Sequence, residues 1–228
     1  MSTALIVGHP DLTASRANAA LTRAACSEPF VDVRVLSHLY PHGAIDVAAE
    51  QAALESADDI VLLYPTYWYS PPAQLKRWLD DVLVRGWAYG TGRPGALAGK
   101  TLRVVTTTGG DEAGYGQGGL HSFAYDAILA PMKATAHRLG MSWREPLVVH
   151  GVRDLDDAAL EAVGARVASL LRPEAPAGAV ADDTVPATDG DAGSTDGAWR
   201  AKSGEGYCRP DGGAATAGTT AASLNAAA

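Results

Sequence analysis

Basic residues are scarce: 18 Lys and Arg stand against 26 Asp and Glu in 228 residues, a formal net charge of −8. A protein that wraps nucleic acid needs Lys and Arg clustered on one face, so that class is excluded. Cysteine is nearly absent. Cys26 falls in the apolar-rich part of the chain and Cys208 near its end, which makes neither a disulfide framework nor a cysteine-based zinc site. No metal site is expected, and the expected setting is reducing and cytoplasmic. No apolar run approaches the ~20 residues that span a bilayer. Met1 leads directly into the apolar residues 4–7 without a basic segment or cleavage site, so no secretory signal is expected. After Pro173, Ile, Met and Phe disappear altogether: the last 55 residues hold sixteen Ala, nine Gly, and eight Asp or Glu against three Lys or Arg. Such a stretch buries too little apolar area to offset an ordering entropy of about 1–2 kcal/mol per residue. The expected organisation is therefore a folded domain over residues 1–173 and a disordered, acidic, Ala/Gly-rich tail over residues 174–228.

The first part alternates short β-rich apolar runs with longer amphipathic segments. Strands are expected over residues 4–7, 31–36, 60–64, 102–107 and 147–149, and helices over 16–26, 47–56, 73–84, 122–139 and 155–171. The first and third strands are almost wholly apolar, as in a parallel sheet buried on both faces. Five strands with five helices predict a flavodoxin-like α/β sandwich, its parallel sheet ordered 2-1-3-4-5. Ser15 and Asp46 are candidate helix caps, Pro71 and Pro72 suit a first helical turn, and Gly140 suits a left-handed helix end. Trp78 reads as core.

In this topology the informative loops follow strand carboxyl ends and converge at one edge of the sheet. After strand 1, Gly8-His9-Pro10-Asp11-Leu12-Thr13-Ala14-Ser15-Arg16-Ala17-Asn18 runs into a helix N-terminus. The free amides and dipole there favour a phosphate, with Ser15 and Asn18 as donors and His9 and Arg16 as positive charge. The same residues read equally well as an ordinary capped helix. No G-x-G-x-x-G is present, which argues against a Rossmann site. After strand 3, Tyr64-Pro65-Thr66-Tyr67-Trp68-Tyr69-Ser70-Pro71-Pro72 places three aromatics in a row. Buried in a core they would leave two phenols and an indole in need of partners, whereas a flat polycyclic ligand gives them a stacking surface. After strand 4, Thr107-Thr108-Gly109-Gly110 opens a glycine-rich stretch that ends in Tyr115 and His121. Its glycines let backbone approach a ligand and allow lid motion. Gly95-Ala96-Leu97-Ala98-Gly99-Lys100-Thr101 imitates a P-loop, but three residues separate its glycines where four are needed, and it precedes a strand. A phosphate cradle, an aromatic shelf and a glycine wall together match a phosphorylated flat cofactor, FMN.

At these residues the chain resembles the flavodoxin-like NAD(P)H:quinone oxidoreductases, the family that includes mammalian quinone reductase and the bacterial ancillary subunits of glutathione-gated potassium efflux. The likeness is carried by His9-Pro10 with Ser15-Arg16-Ala17-Asn18; Glu50-Gln51 with Ala57-Asp58; Pro65-Thr66-Tyr67-Trp68-Tyr69-Ser70; Leu75-Lys76 with Trp78; Gly86-Trp87-Ala88-Tyr89-Gly90; Thr107-Thr108-Gly109-Gly110; and Gly140-Met141. It spans roughly residues 3–172. It implies a flavoenzyme that takes hydride from NAD(P)H and passes two electrons to a quinone. His9, Ser15, Arg16, Ala17 and Asn18 would hold the flavin phosphate. Thr66, Tyr67, Trp68 and Tyr69 would flank the isoalloxazine, and Thr107, Thr108, Gly109 and Gly110 would bond its edge. In the mammalian branch a Tyr and a His six residues apart line the hydride site, and Tyr115 and His121 keep that spacing. A phenol and an imidazole there can donate to the charge that hydride arrival leaves on the ring. FAD occurs in some members, but the short aromatic loop offers no obvious adenine site, so FMN is expected. The resemblance also implies a homodimer with the flavin at the subunit interface, for which Trp87 and Tyr89 would supply an exposed patch.

Three functional readings follow. The first is a quinone reductase working by alternate occupancy of one site. The second is a cytosolic regulatory subunit docked on a membrane potassium/proton antiporter. The third, a one-electron carrier flavodoxin, is disfavoured by the Trp68-Tyr69 shelf and by the lack of a Thr/Ser-rich phosphate loop.

Overall fold

The computed structural model describes residues 1–116 and 118–172; the expectations for the tail, with Cys208, Trp199 and Tyr207, lie outside the described residues. Seven helices and six strand segments alternate along it: β1 (Thr3–Val7), α1 (Arg16–Cys26), β2 (Val31–Val35), α2 (Leu36–Leu39), α3 (Val47–Ser56), β3 (Asp59–Pro65), α4 (Ala73–Val82), β4 (Thr101–Thr107), α5 (Tyr125–Ile128), α6 (Ala130–Arg138), β5 (Ser142–Trp143), β6 (Leu147–Val149) and α7 (Asp157–Leu171). Every strand pair is parallel, and the order is β2-β1-β3-β4-β5, with β6 also on β4. This is the flavodoxin-like sheet order expected from the sequence.

Strand period explains why β1 and β3 are continuous apolar runs. Successive side chains point to opposite faces. Ala4, Ile6, Ile60, Leu62 and Tyr64 pack with α4 and α6 residues such as Trp78 and Met132, while Leu5, Val7, Val61 and Leu63 pack with Leu21 of α1 and Val167 of α7. Helices cover both faces, so neither side of these strands can be polar.

Local signals set most element ends. Ser15 Oγ accepts the Asn18 amide at 3.1 Å, Asp46 accepts Ala49 at 3.0 Å, and Asp156 accepts Ala159 at 2.8 Å, which starts α7 two residues later than the apolar pattern indicated. Gly140 turns left-handed (φ 69°) just beyond α6. Pro72 is the cap of α4, so neither proline lies within its first turn. Lys100 donates to the Glu55 carbonyl at 2.9 Å and to that of Ala57, in a turn that enters β4.

Three further expectations need correction. The helix expected over 122–139 is two pieces, α5 and α6: Ser122 is left-handed (φ 62°), and Pro131 near the start of α6 cannot donate to a preceding turn. The fifth strand position is shared by β5 and β6. Thr101 and Leu102 face Ser142 and Trp143, whereas Val105 faces Leu147, so residues 144–146, ending in Pro146, oppose only 103–104, one residue too many, and bulge. Trp87 and Tyr89 form no exposed patch. Both are half-buried against the core; the Trp87 indole donates to Glu55 at 2.5 Å, and Arg138 lies 5.0 Å from the centre of the Tyr89 ring.

Candidate functional site

The carboxyl ends of β1, β3, β4 and β6 bring four loops together. The Thr66 amide donates to the Thr107 carbonyl at 2.8 Å, and Asn18 Nδ2 donates to Thr107 Oγ1 at 3.0 Å. These bonds join the start of α1, the aromatic loop and the end of β4. The fourth loop, after β6, is joined through Gly151, whose amide donates to Gly110 O at 2.8 Å, and Val152, whose amide donates to Thr108 O at 3.1 Å.

At the start of α1 the amides of Arg16 and Ala17 have no acceptor within the helix. Asn18 is buried, and its Oδ1 has no partner although the rest of its amide is held by Ser15 and Thr107. A buried acceptor of this kind calls for a donor. His9 is also buried, and its Nδ1 accepts the Asp11 amide at 3.1 Å. Burial holds its pKa below the ordinary histidine value, so the ring is neutral, with the proton on Nε2 by inference from that bond. The expected positive charge of this loop is therefore reduced. His9 offers a neutral N–H, and Arg16 is taken up by Asp157 at 2.8 Å.

The aromatic loop is a two-residue hairpin. Tyr67 and Ser70 exchange backbone hydrogen bonds of 3.0 and 3.2 Å, and the two residues between them are left-handed, Trp68 at φ 48° and Tyr69 at φ 64°. Both central positions of such a turn favour Gly or Asn. Trp68 is nonetheless 91% exposed, with Tyr67 and Tyr69 half-exposed beside it. Leu120 and Phe123 extend the exposed apolar rim from the glycine-rich loop.

Tyr115 and His121 do meet. Their rings stack 4.1 Å apart at 21°, and His121 Nδ1 shares a 3.3 Å hydrogen bond with the Tyr69 hydroxyl. His121 Nε2 lies 2.7 Å from where a Gly110 side chain would begin, and the Arg153 guanidinium 3.1 Å from the equivalent point at Gly109. The two glycines are thus bare partly to seat this chain's own side chains. Thr108 Oγ1 closes the turn by donating to Gly110 O at 2.7 Å. Three participants escaped the sequence reading. Tyr125 bonds Thr66, and its ring lies 5.1 Å from that of Tyr115; His150 is also 5.1 Å from Tyr115. Arg153 is the third. His150 and Arg153 follow β6 directly, where the same strand-end logic could have found them. Burial raises the Tyr125 phenol's pKa and lowers that of His150, keeping both neutral. Below Tyr69 a pocket of about 230 Å³ opens between Thr66, Lys76, Tyr125, Pro131 and Met132.

A family model described as the flavodoxin-like fold matches residues 1–171. The chain belongs to this family. A curated relative of this flavodoxin-like protein, the glutathione-regulated potassium-efflux system ancillary protein KefF of Salmonella typhimurium, is 43% identical over 158 residues, covering 69% of this chain and 88% of the relative. Among solved structures, an NADPH-quinone reductase from P. pentosaceus has a TM-score of 0.69 at 30% identity, covering 75% of this chain and 98% of its own. General stress protein 14 from Treponema denticola, in complex with FMN, has a TM-score of 0.67 at 32% identity, covering 75% and 95%. A chain described as a tryptophan halogenase from S. violaceusniger has a TM-score of 0.69 at 37% identity, covering 74% and 96%.

Proposed function

We propose that this protein is an FMN-dependent NAD(P)H:quinone oxidoreductase that transfers two electrons by a ping-pong mechanism, as a cytoplasmic homodimer. The observation that carries the reading is the convergence, on one sheet edge, of an incompletely bonded buried Asn18, a strained exposed aromatic turn, and a glycine pair beside the Tyr115–His121 stack, whose imidazole bonds Tyr69. The residues fit the cofactor. A hydroxyl of a bound flavin would supply the donor that Asn18 Oδ1 lacks, and the amides at Arg16 and Ala17, with Ser15 and the His9 N–H, would suit its phosphate. Thr66, Tyr67, Trp68 and Tyr69 would flank the ring; Thr107, Thr108, Gly109 and Gly110 would bond its edge. The structures of an NADPH-quinone reductase and of an FMN complex among its relatives support the same assignment.

When bound, FMN supplies a reversible two-electron store between nicotinamide and quinone. His121 Nε2 and the Tyr115 ring lie beside Gly110, where they would serve as donors to a bound ring, and Tyr69 fixes the imidazole through Nδ1. The pocket under Tyr69, walled by Tyr125, Pro131 and Met132, is large enough for a small aromatic ring. The test is the absorbance spectrum of the purified protein, with mass identification of the chromophore released by heat. FMN is the expected product, and failure to bind any flavin after reconstitution overturns the reading. Double-reciprocal plots should be parallel; intersecting lines would contradict ping-pong turnover.

A second role is supported by the 43% identity to a protein named as an ancillary part of a potassium-efflux system: regulation of a membrane antiporter. No helix among the described residues is long and apolar enough to cross a membrane, so such a role requires a docked partner. Co-purification with membranes carrying the transporter, and its loss when the transporter is deleted, is the expected result.

A further inference from the structure

We propose that Arg153 is the fixed cation of the site, placed to hold the pyrimidine edge of the flavin ring more tightly once that edge becomes anionic. The inference rests on the flavin reading above but concerns a residue in none of the motifs that led to it. Arg153 stands on a turn tied to the β4 loop by the Gly151–Gly110 and Val152–Thr108 backbone bonds, and closed by a 2.9 Å bond from the Asp154 amide to Gly151 O. The turn therefore follows the glycine wall, and the exposed Arg153 side chain extends from it. The guanidinium fills the space beside Gly109, with Nε at 3.1 Å and Nη2 at 3.4 Å from the point where a side chain would begin, as His121 Nε2 fills the space beside Gly110. Arg16 and Lys76, two further cations at this edge, are each paired with an aspartate, Asp157 and Asp80. Arg153 has no carboxylate partner among the described residues.

A planar fork of N–H donors that is always charged suits a flat edge carrying adjacent ring nitrogen and carbonyl oxygen. Hydride from NAD(P)H moves two electrons and one hydrogen to the ring, releases NAD(P)⁺ and leaves one negative charge on the ring. Hydride passage to the quinone, followed by a proton from water, returns the ring to its oxidised, neutral form and yields the hydroquinone. Arg153 acts only on the charged half of that cycle, so it raises the reduction potential without tightening the oxidised complex to the same degree.

The experiment compares wild type, R153Q and R153K, all loaded with FMN, by spectroelectrochemistry and by titration with sulfite, an anion whose adduct leaves the same negative charge on the ring. For R153Q, sulfite affinity should fall on the order of tenfold, the loss of one charge-assisted hydrogen bond. The potential should drop by about 30 mV, the two-electron equivalent of tenfold. Affinity for oxidised FMN should stay within about twofold, and R153K should recover part of the effect. Unchanged potential and sulfite affinity overturn the proposal while leaving the flavin reading intact. A loss of FMN affinity with riboflavin affinity unchanged also overturns it, since Arg153 would then hold the phosphate. Wild type that binds no flavin defeats the underlying reading itself.

Discussion

Glu50 has no exposed surface, yet its carboxylate sits among four donors: Arg34 through Nη2 at 2.6 Å and Nε at 3.1 Å, the Tyr40 hydroxyl at 2.6 Å and the Trp78 indole at 2.8 Å. The buried charge is stable because these donors surround it. Burial first, and then the Glu50 bond, raise the pKa of Tyr40, while at Arg34 burial acts downward and pairing with Glu50 and Asp32 outweighs it. Glu50→Ala leaves Arg34 with Asp32 at 3.2 Å as its remaining carboxylate, strips the acceptor from Tyr40 and Trp78, and should cost about 3–5 kcal/mol in chemical denaturation; a loss below about 1 kcal/mol would mean that water or Asp32 readily replaces it. In the site, His121→Ala should slow reduction of bound flavin by NAD(P)H about 10²-fold or more in stopped flow while leaving FMN retention nearly unchanged. Equal, small effects on both would argue against a role in the reaction. The Tyr115 and His121 spacing was legible in the chain. Their stacking on each other and the tether to Tyr69 were not, because spacing along a loop says nothing of how it folds back.

The hairpin between Tyr67 and Ser70 shows what an element can store. A left-handed non-glycine residue costs roughly 1–2 kcal/mol, partly offset here by the smaller unfolded-state freedom of Trp compared with Gly. Trp68 is 91% exposed and gives little packing in return. Trp68→Gly should therefore raise the melting temperature by up to about 2–4 °C and weaken FMN retention, measured by fluorescence titration. A variant that loses both stability and flavin would show that the indole serves packing. The three aromatics were plain in the sequence as a costly feature, but only backbone angles reveal strain at two of them. The divided helix and the bulged edge of the sheet have a similar origin. Pro131 and Pro146 were visible, but how a proline breaks an apolar pattern depends on which neighbour would have accepted its missing N–H.

Across the whole molecule, burial lowers the pKa of His9, His38 and His150 below the ordinary histidine value of 6.5. The folded protein thus prefers these rings neutral. Above pH 6.5 both folded and unfolded states leave them uncharged, and the preference has no effect on stability. As pH falls below 6.5 the unfolded chain takes up protons first, so stability declines until the folded-state values are passed. Melting temperatures should therefore drop between pH 7 and pH 5, and His9→Gln should flatten that part of the curve. A profile unaffected by the substitution would show that His9 contributes nothing to it. Asp11 shifts downward as well, held chiefly by the Thr13 hydroxyl, but its window lies below pH 3.8, so it does not confuse the experiment.

Apolar runs of period two, amphipathic helices, Ser15 and Asp46 as caps and Gly140 as a helix end are written in neighbouring residues. That is why the elements and the three principal loops could be read from the chain, and general rules for connecting parallel strands then gave the sheet order. Folding alone decided the rest. Asn18 reaches Thr107 across 89 positions, Tyr69 reaches His121 across 52, and Arg153 comes to rest beside Gly109. Which polar groups are completed, which charges are paired off and which are left for a ligand depends on the register of β1, β3, β4 and β6, and that register is set by burial on both faces of the sheet at once.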